Sequence, residues 1–397
     1  MSSIFLIIGC SGQKNKYSSK SEDLYCSARF LAAKAIAKHI GSERRILSAK
    51  HGLIRNSEIV EPYDLSILEL SPDDHIAWAK ENAQRILKLT KDVDHIVYIG
   101  DELYFAEIKK ILEKKRNNIF LPLGNVDKKN SVSWLNSWLE TQKNLDRVYS
   151  LIASYSNNSH LRLRDFSDLR KKNDCPESGV YIFFDKTAKR IFHPEQIRIS
   201  RIGTHAVSEG SIASLWQRLM THKGTQDGYG NHRGSIFRSH IGSSIISKNV
   251  IDLPSWGSTV MPNVSIREKE MQIEKSVSEY INNNFSVLCI NVPGNPSKAN
   301  DRAYVERNLI ALFSSCLHFA DPPQTTWLGY CSTNQVIRMS GLWNVNHTSE
   351  YVCDQFLEIL EKYLAFSSSS TQIIAYNLAP TNWSHNMKMS QQQKTFF

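Results

Sequence analysis

The first 125 residues alternate two periodicities, and that alternation constrains the fold more than any other feature. Four short apolar runs, at residues 4–8, 45–49, 95–100 and 119–123, read as buried strands. Between them lie segments with apolar positions at helical spacing: 24–40, closed by Gly41; 72–89, with Ser71 as N-cap; and the charged stretch 101–116. Strands separated by helices imply a mostly parallel sheet with helices on its faces, an α/β domain. Ligand sites in such sheets form where strands end and helices begin. A helix over 131–151 closes this unit, and the polar stretch 154–159 reads as a linker, so the first domain is expected to span residues 1–153.

A chain of 397 residues exceeds one ordinary core. At 41% hydrophobic and 22% charged it is a folded protein rather than a disordered, collagenous or coiled-coil one. The 48 Lys and Arg outnumber the 39 Asp and Glu, and the excess of +9 suits a polyanionic partner without proving one. Seven scattered cysteines with no CxxC pair argue against a disulfide framework or a zinc site. The opening apolar run is too short for a signal or membrane segment, so a cytoplasmic protein without membrane contact is expected.

A second domain is expected over 160–380. Residues 162–172 read as a charged helix and 372–376 as a strand, while 381–397 reads as a disordered tail. Its informative stretch begins with the strand Gly179-Val180-Tyr181. A second strand ends Arg201-Ile202-Gly203-Thr204-His205. A helix over 211–222 then carries Arg218 and His222 on one face, four residues apart. The following loop is rich in glycine and cations and includes His232, Arg233, Arg238 and His240. A strand over 285–292 precedes a helix bearing Glu306 among apolar neighbours. Each residue alone has a bland reading: Tyr181 in a common strand start, Arg218 solvated on a helix, Glu306 on the surface. Trp216 and Trp343 read as core.

Taken in order, these residues resemble the GIY-YIG nuclease superfamily. Gly179-Val180-Tyr181, Ile202-Gly203, Arg218 and Glu306 fall on its motif positions, and His222 matches a histidine of some members. The segments 232–238 (HRGSIFR) and 340–347 (SGLWNVNH) resemble those of one subgroup, which extends the similarity to about residue 364. Arg201 departs from the pattern, standing where the family has its second Tyr, and the two half-motifs are unusually far apart. The resemblance implies an α+β nuclease domain behind the α/β domain. It also implies Mg²⁺ (or Mn²⁺) held by Glu306, a water oriented or deprotonated by Tyr181, and a scissile phosphate braced by Arg218. His222 and His232 are candidates for acid–base work, because histidine titrates near neutrality. Arg201, His205, Arg233 and Arg238 are candidate substrate contacts. A single carboxylate suits Mg²⁺, which keeps waters and takes phosphate oxygens as ligands.

In the first domain, Gly9-Cys10-Ser11-Gly12 follows a strand and leads to Lys14, without the spacing of a Walker or dinucleotide motif. Lys50 and His51 close the second strand, and Tyr63-Asp64 follows. Cys10, Ser11, Lys50, His51, Tyr63 and Asp64 are expected to form a small pocket at the carboxyl edge of the sheet. The pattern resembles an uncharacterised bacterial domain with C-S-x-x-K and S-A-K-x-G-L segments. More weakly, it is similar to domains that accompany deazaguanine-type base modification. That implies recognition of a nucleotide or modified base; base removal by Cys10 or Asp64 is the sharper form, and a buried structural cysteine the simpler one.

The expectation is therefore a metal-dependent endonuclease acting on double-stranded DNA, with the first domain recognising the target, in restriction or phage defence. A bifunctional base-excision and nicking enzyme and a non-cutting nucleic-acid-binding protein are the alternatives. A single site must cut two strands in turn or act within a homodimer.

Overall fold

The computed structural model describes residues 4–41, 43–115, 118–157, 160–258, 260, 262–369, 377–384 and 387. The chain divides into two compact units, one built on Met1–Gln142 with Ile191–Pro194, the other on Lys143–Arg190 and the chain from Glu195 on.

The first unit is ordered β1 (Ile4–Gly9), β2 (Ser19–Lys20), α1 (Ser21–Leu24), α2 (Ala28–Ile40), β3 (Glu43–Ser48), β4 (Gly52–Arg55), β5 (Ile59–Val60), α3 (Pro72–Leu89), β6 (His95–Ile99), α4 (Glu102–Leu112) and β7 (Ile119–Phe120). Its main sheet runs β4-β3-β1-β6-β7, with β1, β3, β6 and β7 parallel and β4 folded back antiparallel on β3. All six residues of β1 are buried, as expected of a parallel strand covered on both faces. Phe5 and Ile7 pack with Ile86 of α3 and Phe105 and Ile108 of α4. The expected helix over 24–40 starts later, at Ala28: α1 ends at Leu24, and Ser27 caps α2, its hydroxyl accepting from the Phe30 amide.

Helix α5 (Ser131–Tyr155) carries the chain into the second unit, through the start of the expected linker. There follow β8 (Arg164–Asp165), β9 (Gly179–Lys189), β10 (Ile197–Thr204), α6 (Leu215–Lys223), α7 (Ile236–Lys248), α8 (Val264–Asn284), β11 (Phe285–Asn291), α9 (Asp301–Phe313), α10 (Gln335–Ser340) and α11 (Phe356–Ser368). The sheet is antiparallel, ordered β10-β9-β11-β8. Side chains of β9 alternate strictly. Val180, Ile182 and Phe184 join a core with Leu309, Phe313 and Leu360, while Tyr181 and Phe183 join another with Leu219, Phe237 and Val277. One sheet face thus packs on α9 and α11, the other on α6, α7 and α8. A bulge in β10 between Ile199 and Arg201 lets Ile199 and Ile202 share the first core while Arg201 turns to the second.

Two expectations fail here. Residues 162–172 are not a helix: Arg164–Asp165 adds to the sheet edge against Ser286 and Val287, and single turns flank it. The stretch expected to be a disordered tail contributes Trp383 and Met387 to the core. The Trp383 indole donates to the Ala299 carbonyl at 3.2 Å and lies against the Tyr304 ring. Residues 388–397 and the expected strand over 372–376 lie outside the described residues. Among the described residues, no helix is long and apolar enough to cross a membrane.

Candidate active site

Antiparallel pairing of β9 with β10 sets Tyr181 opposite Gly203. A Cβ on residue 203 would lie 2.2 Å from the Tyr181 oxygen and 2.3 Å from its ring, so only glycine leaves room for the phenol. The hydroxyl meets Nε2 of His222 at 2.8 Å, and Nδ1 of that ring meets the Ser235 hydroxyl at 2.8 Å. Burial, with the charges of Arg201, Arg218 and Arg238 behind it, holds the His222 imidazole well below its ordinary pKa, so it is neutral. A neutral imidazole has one donor and one acceptor. In the tautomer that gives Nδ1–H to Ser235, Nε2 is the acceptor for the Tyr181 proton.

Arg201 occupies the position of the expected second tyrosine. Its guanidinium donates to the Trp343 carbonyl at 2.6 Å, lies over the Phe237 ring and reaches the Tyr181 oxygen at 3.5 Å. A cation therefore stands beside the phenol where an aromatic hydroxyl was expected. Arg218 projects from α6, close enough to act electrostatically on both His222 and Glu306. Among the described residues its guanidinium makes no hydrogen bond or ion pair, which leaves its fork free for an anion.

Glu306 lies on α9, where the packing of Tyr304, Val305, Leu309 and Ile310 fixes the helix on the sheet. Its Oε1 accepts from the Thr204 amide at 3.1 Å, at the end of β10. Burial pushes its carboxyl above the ordinary range, against the opposing pull of His347, Arg201, the Thr204 amide and Arg218. Among the described residues no group of three or more His, Cys, Asp and Glu side chains could hold a metal ion. A lone carboxylate beside arginines fits a hydrated Mg²⁺ completed by phosphate oxygens better than an all-protein cage.

The loop cations expected to touch substrate have other partners. Arg238 is fully buried, with its Nε bonded to Glu274 of α8 at 2.9 Å and its Nη1 to the His222 carbonyl at 3.0 Å. Arg233 forms a bidentate pair with Glu270 at 2.8 and 2.9 Å. His232 donates through Nδ1 to Glu274 at 2.9 Å, and its ring stacks on Trp256 with centroids 3.8 Å apart. Both nitrogens of His205 serve the backbone: Nδ1–H donates to Ala213, and Nε2 accepts from the Gly179 amide. These four side chains tie the loop and strand ends together, because burial makes pairing cheaper than leaving a charge alone. In this structure Arg233, Arg238 and His205, expected as substrate contacts, and His232, expected in acid–base work, are thus engaged within the protein.

Two neighbours went unnoticed among the sequence candidates although the segment carrying them stood out. Asn344 clasps Ile202, accepting from its amide at 3.1 Å and donating to its carbonyl at 2.7 Å. His347 has a left-handed backbone, φ 64°, and its Nδ1 is held by Glu350, itself clamped by Arg307.

In the first unit, Cys10, Ser11 and Asp64 line one cavity, as expected. Lys50 and His51 do not; they pack around the Tyr63 ring, whose hydroxyl bonds Ser48 and Tyr25. Burial raises the Cys10 thiol pKa, so it is not an activated nucleophile.

Comparison with known families agrees with this geometry. Residues 4–137 match a family of unknown function (DUF6884), and residues 139–369 match the GIY-YIG domain. No curated protein and no solved structure matches the chain. With more than half of its length in that match, the chain belongs to the GIY-YIG family of nuclease domains.

Proposed function

We propose that the protein is a divalent-metal-dependent DNA endonuclease. The reading rests on one convergence: the Tyr181 hydroxyl on a neutral His222, the unpaired Arg218 and the single carboxylate of Glu306, at one end of β9 and β10. Phosphodiester hydrolysis needs an activated water, neutralisation of charge on phosphorus and help at the leaving oxygen. In this reading Tyr181 passes its proton to Nε2 of His222 and orients or deprotonates the attacking water. Arg201 sets a cation 3.5 Å from the phenol oxygen. Arg218 grips the scissile phosphate with two parallel donors. Glu306 would hold Mg²⁺ or Mn²⁺, which when bound supplies charge neutralisation at the phosphate and the leaving oxygen.

The first domain, over about residues 1–153, would select the target, modified DNA being one class, as in restriction or phage defence. Double-stranded DNA is the expected partner, cut by one site in turn or by a homodimer. Plasmid incubated with protein and Mg²⁺ should be nicked or linearised, and Glu306→Gln or added chelator should abolish this. Intact DNA with the wild-type chain across plain and base-modified substrates would overturn the reading.

A further inference from the structure

Unit one holds a cavity of about 520 Å³ at the carboxyl edge of its sheet, between the ends of β1 and β6. The chain leaves β1 toward β3 on one side and later leaves β6 toward β7 on the other, so this is where the winding reverses. Crevices of that kind are where open parallel sheets take ligands. Gly9 ends β1, and Gly100 follows β6. A Cβ on residue 9 or on residue 100 would lie 2.7 or 2.4 Å from the Tyr98 hydroxyl, which instead donates to the Asp101 carbonyl at 3.0 Å.

The lining mixes two chemistries. Lys14, Arg29 and Lys128 contribute cations, and Ser11, Ser27 and Ser131 hydroxyls. Arg29 sits in the first turn of α2, where the helix dipole disfavours a cation and favours an anion beside it. Arg29 and Lys128 both face Asp101, but only at 3.8 and 3.4 Å, distances at which partly exposed pairs hold side chains weakly. Leu65, Leu103 and Val132 add apolar surface to the same lining. At the rim, Asp64 is exposed, and among the described residues it makes no hydrogen bond or ion pair.

We infer that this cavity binds one nucleotide unit, its phosphate at Arg29, Lys14 and Lys128 and its base along Leu65, Leu103 and Val132 with Asp64 at its polar edge. The volume admits a nucleotide but not a longer strand. The choice of a nucleotide over other phosphorylated molecules rests on the nuclease reading above. Free mononucleotide and a nucleotide turned out of a duplex share this chemistry.

Full-length protein titrated calorimetrically with the four deoxynucleoside 5′-monophosphates should release or absorb heat at millimolar ligand or below, and inorganic phosphate should bind more weakly. Arg29→Ala and the exposed-site variant Lys128→Ala should each weaken binding about tenfold, the weight of one charge-assisted contact. Glu306→Gln should leave it unchanged, since that carboxylate belongs to the other unit. Thermal melts of the variants at wild-type temperature exclude misfolding. A duplex with a single 2-aminopurine separates the sources. Fluorescence gain on binding, reduced by Arg29→Ala, identifies a flipped nucleotide; mononucleotide binding without that gain identifies the free molecule. Absence of mononucleotide binding and of the fluorescence gain overturns the inference, as does binding indifferent to Arg29 and Lys128 or abolished by Glu306→Gln. Plasmid cleavage measured on the same preparation keeps the two readings apart: cutting without nucleotide binding removes this inference and leaves the nuclease.

Discussion

The phenolic oxygen of Tyr181 stands 2.8 Å from Nε2 of His222, inside a core and beside the Arg201 guanidinium. In the proposed mechanism that oxygen is the group that meets both the water and the proton acceptor. Tyr181→Phe should therefore lower the single-turnover cleavage rate by about 10²–10⁴-fold, the usual weight of a positioned acid–base group. DNA affinity by fluorescence anisotropy should not change. A variant that cleaves at the wild-type rate would remove Tyr181 from the chemistry.

Gly203 tests the same phenol from across the sheet. An alanine Cβ would collide with the Tyr181 oxygen and ring, and the ring must move because the strand cannot. Gly203→Ala should lose at least about 100-fold in activity, since displacement of roughly 1 Å at a reacting group costs that much. Normal kinetics with the folded variant would show that the ring has freedom the packing denies it.

Burial raises the Glu306 pKa above its unfolded value of 4.5. The sign follows from linkage: the contribution to stability is fully present below the unfolded pKa and is lost as pH rises through the higher folded one. At neutral pH, without metal, the ionised carboxylate is thus a cost. Glu306→Gln should melt higher than wild type at neutral pH in chelator, by about 2–4 °C if the relief is near 1 kcal/mol, and the gain should vanish near pH 4. Mg²⁺ should raise the wild-type melting temperature and not that of the variant. Identical wild-type and variant melts across pH would refute the buried-carboxylate account.

Arg238 and Arg218 look alike in sequence and should behave as opposites. Arg238 is buried against Glu274, so Arg238→Met should cost about 3–5 kcal/mol in denaturant unfolding by taking the arginine partner from a buried carboxylate. Arg218→Gln should cost little stability but reduce the slope of log affinity against log salt by about one. If Arg233→Gln or Arg238→Met reduces that slope instead, the loop cations contact phosphate after all.

Much of the fold is readable from local signals. Helix α3 begins and ends where Ser71-Pro72 and Leu89 place it, because capping chemistry lies within a few residues. The motif residues Tyr181, Gly203, Arg218 and Glu306 were found by their order. What was missed depends on distant partners. Helix α8 is polar, and its Glu270 and Glu274 look like solvated carboxylates, yet both are buried because Arg233 and Arg238, some forty positions earlier, meet them. Likewise Arg164–Asp165 becomes strand only because β11 offers an edge more than a hundred residues away. Local propensity has no access to either event.

The pairing of Tyr181 with Gly203 also bears on which homologous chains would be missed by pattern searches. Sheet register is set by which side chains face each core, and a slip of one residue would send Tyr181 and Phe183 into the core that holds Val180 and Ile182. The turn between the strands, at 190–196, lies outside that register, although Arg190, Ile191 and Phe192 within it are buried. The number of residues separating the two half-motifs is therefore not fixed by the pairing of Tyr181 with Gly203. The constant to look for is a bulky hydroxyl on one strand facing an absent side chain on the next, at any separation along the sequence.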